Sequence, residues 1–370
     1  MLPDCWGRRV KIRWPAIPKL LSLCETFPMN RLRRLWMAVL FACAAASPQP
    51  ALRAQAGSEE GFQGYLQLLA ARARSEGVSE AAILRMTQGL SLNWRVIELD
   101  RAQPGTSPVP PPVAPYLREH VDAARIQGGR SLYNQVAGTA AAIERQYGVP
   151  ASIMLAIWGH ETNYGSYTGN FDLARSLATL AYEGRRRELF AGEFVALLKM
   201  ADRGVPRERM LGSWAGAFGN PQFLPSVYLR TAVDADGDGR RDIWSSRADT
   251  LASIANYFRD AGWRPGEPWG VRAVVPDSFN RMAVMPRAQS PTCTRVHARH
   301  SVWKPVSEWR ELGVAPLRAI SDSTLAALFE PDGPGKPAFL LTGNYRVILQ
   351  YNCSNYYALS VGLLADEIAR

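Results

Sequence analysis

The chain has 370 residues, 47% of them hydrophobic and 21% charged, which is the composition of a globular protein with room for two or three domains. Its formal net charge is +10. The first 56 residues contain nine Lys or Arg and only two acidic residues, so the remainder has 34 basic against 31 acidic side chains. Most of the positive charge therefore belongs to the N-terminal segment, and nucleic-acid binding loses its main support.

The N-terminal segment has the features of a secretory signal. Basic residues follow Met29, an apolar run extends from Leu35 to Ala46, and Ala54-Gln55-Ala56 forms a small-x-small cleavage site. The apolar run is too short to span a membrane as a helix. We therefore predict a signal peptide over residues 29–56, a wrongly assigned upstream start over residues 1–28, and export to the periplasm.

A second export signal overlaps the first. Leu40-Phe41-Ala42-Cys43 resembles a lipoprotein box, in which Cys43 would carry the lipid and anchor the protein in the outer membrane. Phe41 is bulkier than that box usually allows. The lipid anchor therefore stays open as the alternative to a soluble periplasmic protein.

Cysteine usage is consistent with export. Cleavage after Ala56 leaves Cys293 and Cys353, which in an oxidising compartment form either a disulfide or two buried thiols, and we favour the disulfide. Cys293, His297 and His300 also have a spacing that could hold zinc. No second cysteine pair accompanies them, so we predict surface histidines beside a disulfide.

Apolar residues recur at helical spacing through much of the mature chain. They predict helices between Phe62 and Leu99 and between Tyr116 and Tyr147, with a break at Gly128-Gly129. The proline-rich stretch Pro104–Pro115 should connect these two regions in an extended conformation. Further helices are predicted at Ser176–Arg187, Arg187–Asp202, Thr250–Gly262 and Tyr356–Ala369.

The last third of the chain contains shorter elements. Their mixture indicates a small β-containing region before the closing helix. Strands are predicted at Val271–Val275, Ala338–Leu341 and Tyr345–Gln350, and short helices at Val306–Leu312 and Leu325–Phe329.

The strongest functional signal lies between Val149 and Gly165. Pro150 suits the start of a helix and Gly165 its end, so Glu161 falls in the last turn. The helix macrodipole is negative at that end, and Ile157 lies one turn back on the same face, so both the field and desolvation favour the protonated acid. A glutamic acid that stays protonated at neutral pH can act as a general acid.

A second chemical signal is the acidic loop that begins at Asp234. Acidic residues at loop positions one, three, five and nine, with glycine at six, follow the EF-hand pattern, in which alternate residues turn oxygens toward one Ca²⁺. Arg240 at position seven would give its backbone carbonyl, but position twelve is Ser245 instead of Glu. We predict a structural calcium ion, with a polar turn as the alternative. The carboxylates of this pattern are Asp234, Asp236, Asp238 and Asp242.

A further functional signal comes from three separated stretches of the sequence taken together. They are Trp158–Gly165 (WGHETNYG), Ser213–Ser226 (SWAGAFGNPQFLPS) and Tyr351–Ala358 (YNCSNYYA). In this order they resemble the motifs of the lytic murein transglycosylase B family, and the similarity covers nearly everything after about Gly57. The resemblance implies a lysozyme-like core and cleavage of peptidoglycan glycan strands, with no cofactor for catalysis.

The resemblance also implies a mechanism. Glu161 would protonate the oxygen between N-acetylmuramic acid and N-acetylglucosamine and then, as a carboxylate, take a proton from the muramoyl C6 hydroxyl, giving a 1,6-anhydro product without water. Asp172 is the nearest alternative carboxylate, although its loop gives no reason for a special pKa. The implied substrate contacts are Asn163, Ser213, Gln222, Tyr257, Asn352 and Tyr357, and the family's variant EF-hand implies Asp249 as a further calcium ligand.

Two other functions stay open at this point. A hydrolytic muramidase of similar fold would need a positioned water and a second carboxylate. A non-catalytic peptidoglycan-binding protein would lose the acid, and the intact Glu161 argues against it. The predicted partners are peptidoglycan glycan strands and proteins of cell-wall synthesis or remodelling, with no nucleic acid, and we expect a monomer.

We predict a mainly α protein of the α+β class with three parts. Residues 57–145 would form a helical domain, completed by the C-terminal helix over 356–370. Residues 146–265 would form the lysozyme-like catalytic core with the calcium loop at 234–249, and residues 266–355 a small β-containing region. This arrangement comes from the resemblance, since periodicity alone gives only helices first and strands later.

Overall fold

The computed structural model describes residues 57–103, 110–286 and 288–370. The segments 1–28 and 29–56, which include Cys43, lie outside the described residues, and so do residues 104–109 of the proline-rich connection. Among the described residues, no helix has both the length and the apolar character needed to cross a membrane.

The described residues form fourteen α-helices and seven short β-strands. The helices are α1 Glu59–Ser75, α2 Glu80–Thr87, α3 Trp94–Arg101, α4 Val113–His120, α5 Ala123–Tyr147, α6 Ala151–Thr162, α7 Leu173–Glu183, α8 Arg187–Asp202, α9 Pro225–Thr231, α10 Arg247–Asp260, α11 Thr294–His297, α12 Val306–Glu311, α13 Gly343–Tyr351 and α14 Asn355–Ile368. The strands are β1 Phe171–Asp172, β2 Leu211–Gly212, β3 Gly270–Val274, β4 Trp303–Pro305, β5 Ala315–Pro316, β6 Leu325–Phe329 and β7 Ala338–Leu341.

Short polar side chains fix where many of these helices begin. Ser58 accepts a hydrogen bond from the Gly61 N–H at 3.0 Å, and Asp172 accepts one from the Arg175 N–H at 2.9 Å. Such caps satisfy backbone donors that have no partner inside the helix. Equivalent caps precede α2, α3, α5, α10, α13 and α14, at Ser79, Asn93, Asp122, Ser246, Thr342 and Ser354.

The helices pack around two hydrophobic cores, and each core combines helices that are far apart in the sequence. The first joins α1, α2 and α3 with α7, α8 and α9 around buried side chains such as Phe62, Phe194 and Phe218. The second surrounds α6, on which α5, α10 and α14 pack, and it buries Met154 and Leu359. The packing therefore groups the helices differently from the predicted boundaries at 57–145 and 146–265.

A small sheet accompanies the helices. Its five strands are antiparallel and have the order β4-β6-β7-β3-β5. In the central strand β7, Phe339 pairs with Arg272 on one side and Phe329 on the other. Trp309 of α12 is fully buried against this sheet, and its Nε1 donates to the Ala326 carbonyl at 2.9 Å. The prediction of a mainly helical protein with a small sheet is confirmed.

Two predictions of short elements are wrong. Leu325–Phe329 is strand β6 instead of a helix, because its backbone pairs with strands on both sides. Tyr345–Gln350 belongs to helix α13 instead of a strand, since Thr342 caps it by accepting a hydrogen bond from the Asn344 N–H at 3.2 Å. Apolar runs of five or six residues fit both periods, so strand partners and caps decide between them.

The predicted break at Gly128-Gly129 is also wrong, because α5 continues through both residues. A Cβ atom at Gly129 would lie 2.5 Å from the Ile368 side chain, and one at Gly128 would lie 3.0 Å from the ring of Tyr164. The glycines therefore allow close packing and do not interrupt the helix.

The same substitution at two helical glycines should change stability in opposite directions. A Cβ at Gly362 would lie 2.4 Å from the Trp269 ring, so we expect Gly362→Ala to lower the free energy of unfolding by about 1–3 kcal/mol through overpacking. A Cβ at Gly138 would have no atom within 4 Å, so Gly138→Ala should raise it by up to about 1 kcal/mol through helix propensity. Urea denaturation measures both, and shifts of equal sign would contradict the packing described for α14.

Candidate active site

Glu161 lies where helix α6 meets an abrupt turn. The preceding part of α6 is almost entirely buried, whereas Glu161 in its last turn is partly accessible. The helix ends at Asn163, which has a left-handed φ of 47°, and Tyr164 follows with a φ of 58°. Asparagine is one of the residues that tolerates this conformation. The chain therefore leaves the helix axis directly after the turn that carries Glu161.

Tyr357 of α14 is the direct partner of Glu161. Its hydroxyl donates a hydrogen bond to Glu161 Oε1 at 2.5 Å. Burial raises the pKa of Glu161 from the ordinary 4.5 to about 7, and the bond from Tyr357 opposes that rise. Tyr357 is itself only 3% exposed, and burial raises its pKa well above 10, so it stays a donor at neutral pH.

The loop after α6 is fixed by the motif between Ser213 and Ser226. Thr162 donates to the Asn220 carbonyl at 3.0 Å, and the Asn220 side chain donates to the Trp244 carbonyl and to Thr250 Oγ1, each at 3.2 Å. Asn220 thus joins the end of α6 to the acidic loop and to α10. Thr162 and Asn220 are not among the predicted site residues, although both lie inside the recognised motifs.

Two predicted substrate contacts in this motif have structural partners. Gln222 has a φ of 49°, and its Nε2 donates to the carbonyls of Thr168 and Gly219, each at 3.1 Å. Ser213 Oγ accepts from the Ala217 N–H at 3.0 Å. The side-chain amide of Gln222 therefore holds the loop after α6 against the second motif.

The other predicted contacts lie at the ends of α6, α10 and α13. Asn163 is exposed beside a cavity of about 360 Å³, and Asn352 is exposed just after α13. Tyr257 donates to the Gln350 carbonyl at 2.8 Å. Its ring lies 4.8 Å from that of Tyr351.

Tyr351 is a site residue that sequence analysis did not assign a role. Its hydroxyl donates to the Pro221 carbonyl, and its ring stacks parallel to that of Tyr357 at 6.4 Å. It therefore connects the second motif to the helix that carries the partner of Glu161. The third motif contains five aromatic or amide residues, and the sequence alone does not distinguish their roles.

Asp172, the alternative carboxylate, is committed to the fold. It caps α7 through the Arg175 N–H and accepts a hydrogen bond from Arg207 at 2.7 Å. These contacts occupy both of its oxygens, which leaves Glu161 as the carboxyl group that faces the convergence of the three motifs.

Three carboxylates of the acidic loop come together. Asp234, Asp236 and Asp249 each offer one oxygen, and these oxygens lie within 4.8 Å of one another. Asp249 is fully buried and accepts from the N–H groups of Ala235 and Asp242, each at 2.7 Å, while burial raises its pKa. A set of carboxylate oxygens fits a hard cation such as Ca²⁺.

The remaining two predicted carboxylate ligands have other hydrogen-bond partners. Asp238 accepts from the backbone N–H of Arg240 at 2.8 Å. Asp242 accepts from Arg209 at 2.7 Å and from Ser245. Burial alone would raise the pKa of Asp242, but the hydrogen bonds from Ser245 and Arg209 hold it at about 2.

Cys293 and Cys353 are joined, with an S–S distance of 2.16 Å and a Cα–Cα distance of 5.8 Å. The prediction of surface histidines beside them is wrong for His300, which is 4% exposed. Its Nε2 lies 2.7 Å from Asn355 Oδ1, and burial lowers its pKa to about 4. His300 therefore belongs to the packing below the start of α14.

Comparison with known proteins identifies the family. The family described as Transglycosylase SLT domain matches residues 61–366. The chain belongs to this family. The membrane-bound lytic murein transglycosylase B of Escherichia coli (strain K12) is 31% identical over 284 residues, 74% of either chain. The predicted family and the predicted enzyme class, lytic murein transglycosylase, are confirmed.

Solved structures of related proteins have the same fold. SltB3 from Pseudomonas aeruginosa, in complex with NAG-NAM-pentapeptide, is 39% identical with a TM-score of 0.75, covering 83% of this chain and 79% of its own. SltB1 from the same organism is 30% identical with a TM-score of 0.70, over 83% and 98%. Escherichia coli Slt35 in complex with calcium is 26% identical with a TM-score of 0.66, over 82% and 92%. The lysozyme-like core predicted from the motifs is confirmed.

The raised pKa of Glu161 makes a prediction about stability. The pKa is about 7 in the folded protein and near 4.5 in the unfolded chain, so the folded state binds more protons between these values. Raising the pH through this window therefore lowers the free energy of unfolding, and the loss is complete above pH 7. Glu161→Gln lacks this titration, so its thermal midpoint should exceed that of the wild type at pH 8.

The difference in thermal midpoint between Glu161→Gln and the wild type should disappear as the pH falls to 4.5. Glu60→Gln, at an exposed position on α1, is the matched control for the loss of one charge. A gap that stays constant from pH 5 to pH 8 would mean that Glu161 titrates normally.

Proposed function

We propose that this chain cleaves the β-1,4 bond between N-acetylmuramic acid and N-acetylglucosamine in peptidoglycan without water, leaving 1,6-anhydro ends. One observation carries the proposal, namely the half-buried carboxyl of Glu161, bonded to Tyr357 and with a pKa near 7, in a chain of this family. An acid whose pKa lies near the ambient pH can both donate and accept a proton within one reaction.

Glu161 serves first as acid and then as base. Its proton passes to the glycosidic oxygen, and the bond from that oxygen to muramoyl C1 breaks with its electron pair. The Glu161 carboxylate then takes the proton of the C6 hydroxyl as the C6 oxygen bonds to C1. Tyr357 stabilises the carboxylate between these steps, because its hydrogen bond at 2.5 Å favours the charged form.

A hydrolytic muramidase is the second candidate function. It would use a second carboxylate to activate water or to form a covalent intermediate. Asp172 is bound to Arg207 and to the start of α7, which removes the nearest candidate in sequence. This favours the mechanism with one carboxyl group, in which the substrate's own hydroxyl is the nucleophile.

We infer that the glycan strand lies along the loops that surround Glu161. A correct orientation of the reacting groups supplies a large part of the rate in such reactions. The complex of SltB3 with NAG-NAM-pentapeptide and that with NAG-anhNAM-pentapeptide support a peptidoglycan substrate. The proposed contacts are Asn163, Ser213, Gln222, Tyr257, Asn352 and Tyr357.

We propose export through residues 29–56 and action in the periplasm. The relative in Escherichia coli is described as membrane-bound, which supports a location at the cell envelope. Lipidation of Cys43 would anchor the chain to the outer membrane without altering the active site. A monomer that acts beside cell-wall synthesis or remodelling proteins fits this location.

We further propose that Asp234, Asp236 and Asp249 hold a structural Ca²⁺. The structure of Slt35 with calcium supports this choice of ion. The ion would neutralise three neighbouring carboxylates and fix the loop that receives Asn220 through the Trp244 carbonyl. It would lie outside the reaction itself.

The first test is the mass of the products that the mature protein releases from purified peptidoglycan. We expect muropeptides one water lighter than hydrolysis products, and we expect Glu161→Gln to reduce their formation by at least about 10³-fold, since it removes both proton transfers. Hydrated reducing-end products would identify a muramidase instead. Binding without cleavage by the wild type would identify a peptidoglycan-binding protein.

The second test is thermal unfolding with and without Ca²⁺. Calcium at a hundredfold excess over its dissociation constant should stabilise the wild type by about 2.7 kcal/mol. Mg²⁺ should stabilise it less, because it prefers a smaller octahedral site. Asp236→Asn should abolish the calcium effect, whereas Asp277→Asn, an exposed control outside the loop, should retain it. An equal calcium response in both variants would exclude this site.

A further inference from the structure

His160 precedes Glu161 on α6, and its side chain contacts α14. Its Nε2 lies 2.7 Å from Ser360 Oγ, and the Ser360 hydroxyl donates to the Tyr357 carbonyl at 2.9 Å. This contact joins the His160 ring to Ser360 with either nitrogen of the imidazole protonated, because a hydroxyl can both donate and accept. The His160 ring also meets the edge of the Tyr357 ring, with centroids 4.5 Å apart.

Helix α4 supports His160 from the opposite side. The ring of His120 stacks on that of His160 at 5.0 Å, and the ring of Tyr116 stacks on that of His120 at 3.8 Å. His120 Nδ1 lies 2.9 Å from the Tyr116 carbonyl, which holds it in this stack. His160 is therefore packed between α4 and the side chain that binds Glu161.

His160 stays neutral where Glu161 titrates. Burial, followed by the charges of His120 and Arg125, lowers the pKa of His160 to about 3. The ionisable groups around it are Tyr116 and His120 on α4, Arg125 on α5 and Tyr357 on α14, with Tyr351 of α13 facing Glu161. A neutral imidazole beside Glu161 adds no positive charge that would favour the carboxylate.

We propose that His160 is a positioning residue that acts through Ser360 and Tyr357, fixing the Tyr357 hydroxyl against the carboxyl group of Glu161. The proposal rests on the function assigned to Glu161 above. It gives His160 no contact with the substrate and no proton transfer in the reaction.

The pH profile can detect this role. The hydrogen bond from Tyr357 lowers the pKa of Glu161 against the effect of burial. If the Tyr357 hydroxyl is held less firmly, its hydrogen bond lowers the pKa of Glu161 by a smaller amount. Glu161 then keeps its proton to a higher pH, and the basic limb of kcat/KM moves to a higher pH. Tyr357→Phe should move this limb by about one pH unit, and His160→Phe by about half of that.

The decisive experiment is a double-mutant cycle on the pH dependence of kcat/KM, with a soluble peptidoglycan fragment as substrate. If His160 acts through Tyr357, the variant with both His160→Phe and Tyr357→Phe should have the same basic limb as Tyr357→Phe alone. A folded His160→Phe whose limb stays at the wild-type pH overturns the proposal. So does a double variant whose limb shifts by the sum of the two single shifts.

Two further variants separate positioning from packing. His160→Gln keeps a donor that can reach Ser360 and should restore most of the wild-type limb, whereas Ser360→Ala should reproduce the shift of His160→Phe with little change in volume. Ser360→Ala also carries the test if His160→Phe does not fold. His297→Phe is the matched control, because it makes the same replacement at a histidine whose ring contacts His300. The basic limb of its kcat/KM profile should stay at the wild-type pH.

The Glu161→Gln variant tests the proposed function separately from the role of His160. An active Glu161→Gln would contradict the role of Glu161, whatever the histidine variants do. An inactive Glu161→Gln together with an unshifted limb in Ser360→Ala would contradict the role of His160 alone.

Discussion

The hydrogen bond between Tyr357 and Glu161 is the contact on which the rest of the site depends. It joins two residues 196 positions apart in sequence, so it exists only when α6 and α14 are packed together. Glycine allows the chain after α6 to fold back closely on the helix, because a Cβ at Gly159 would lie 2.5 Å from the Tyr164 ring. The raised pKa of Glu161 is therefore a property of the folded core and not of a local loop.

A chain of hydrogen bonds links this core to the acidic loop. Thr162 contacts the Asn220 carbonyl, and Asn220 contacts the Trp244 carbonyl and Thr250. The loop that carries Asp234 and Asp236 is therefore attached to the helix that carries Glu161 through Asn220, as well as through the packing of α10 on α6. An ion in that loop would influence catalysis through rigidity alone, without touching the sugar.

Much of this site could be predicted from the sequence, because its main features are local. A helix that ends after Glu161 follows from the residues around it, and three motifs identify the family. Contacts between distant segments were not predictable in the same way. The support of Glu161 by His160, Ser360 and Tyr351 depends on α4, α13 and α14, whose positions no period or cap specifies. The same limit explains why Leu325–Phe329 was predicted as a helix: only its strand partners distinguish the two structures.

The disulfide between Cys293 and Cys353 closes a loop of 60 residues that contains four of the five strands of the sheet. Closing a loop of this length restricts the unfolded chain by about 4 kcal/mol in the chain-entropy model. The bond also ends one residue before the cap of α14, the helix that carries Tyr357. Oxidation of the two thiols therefore favours the folded arrangement of the sheet and of the start of α14. A chain in which these two thiols are reduced would hold its sheet and the start of this helix less firmly than the oxidised chain, so a reducing agent would loosen the position of Tyr357 opposite Glu161 without touching either side chain.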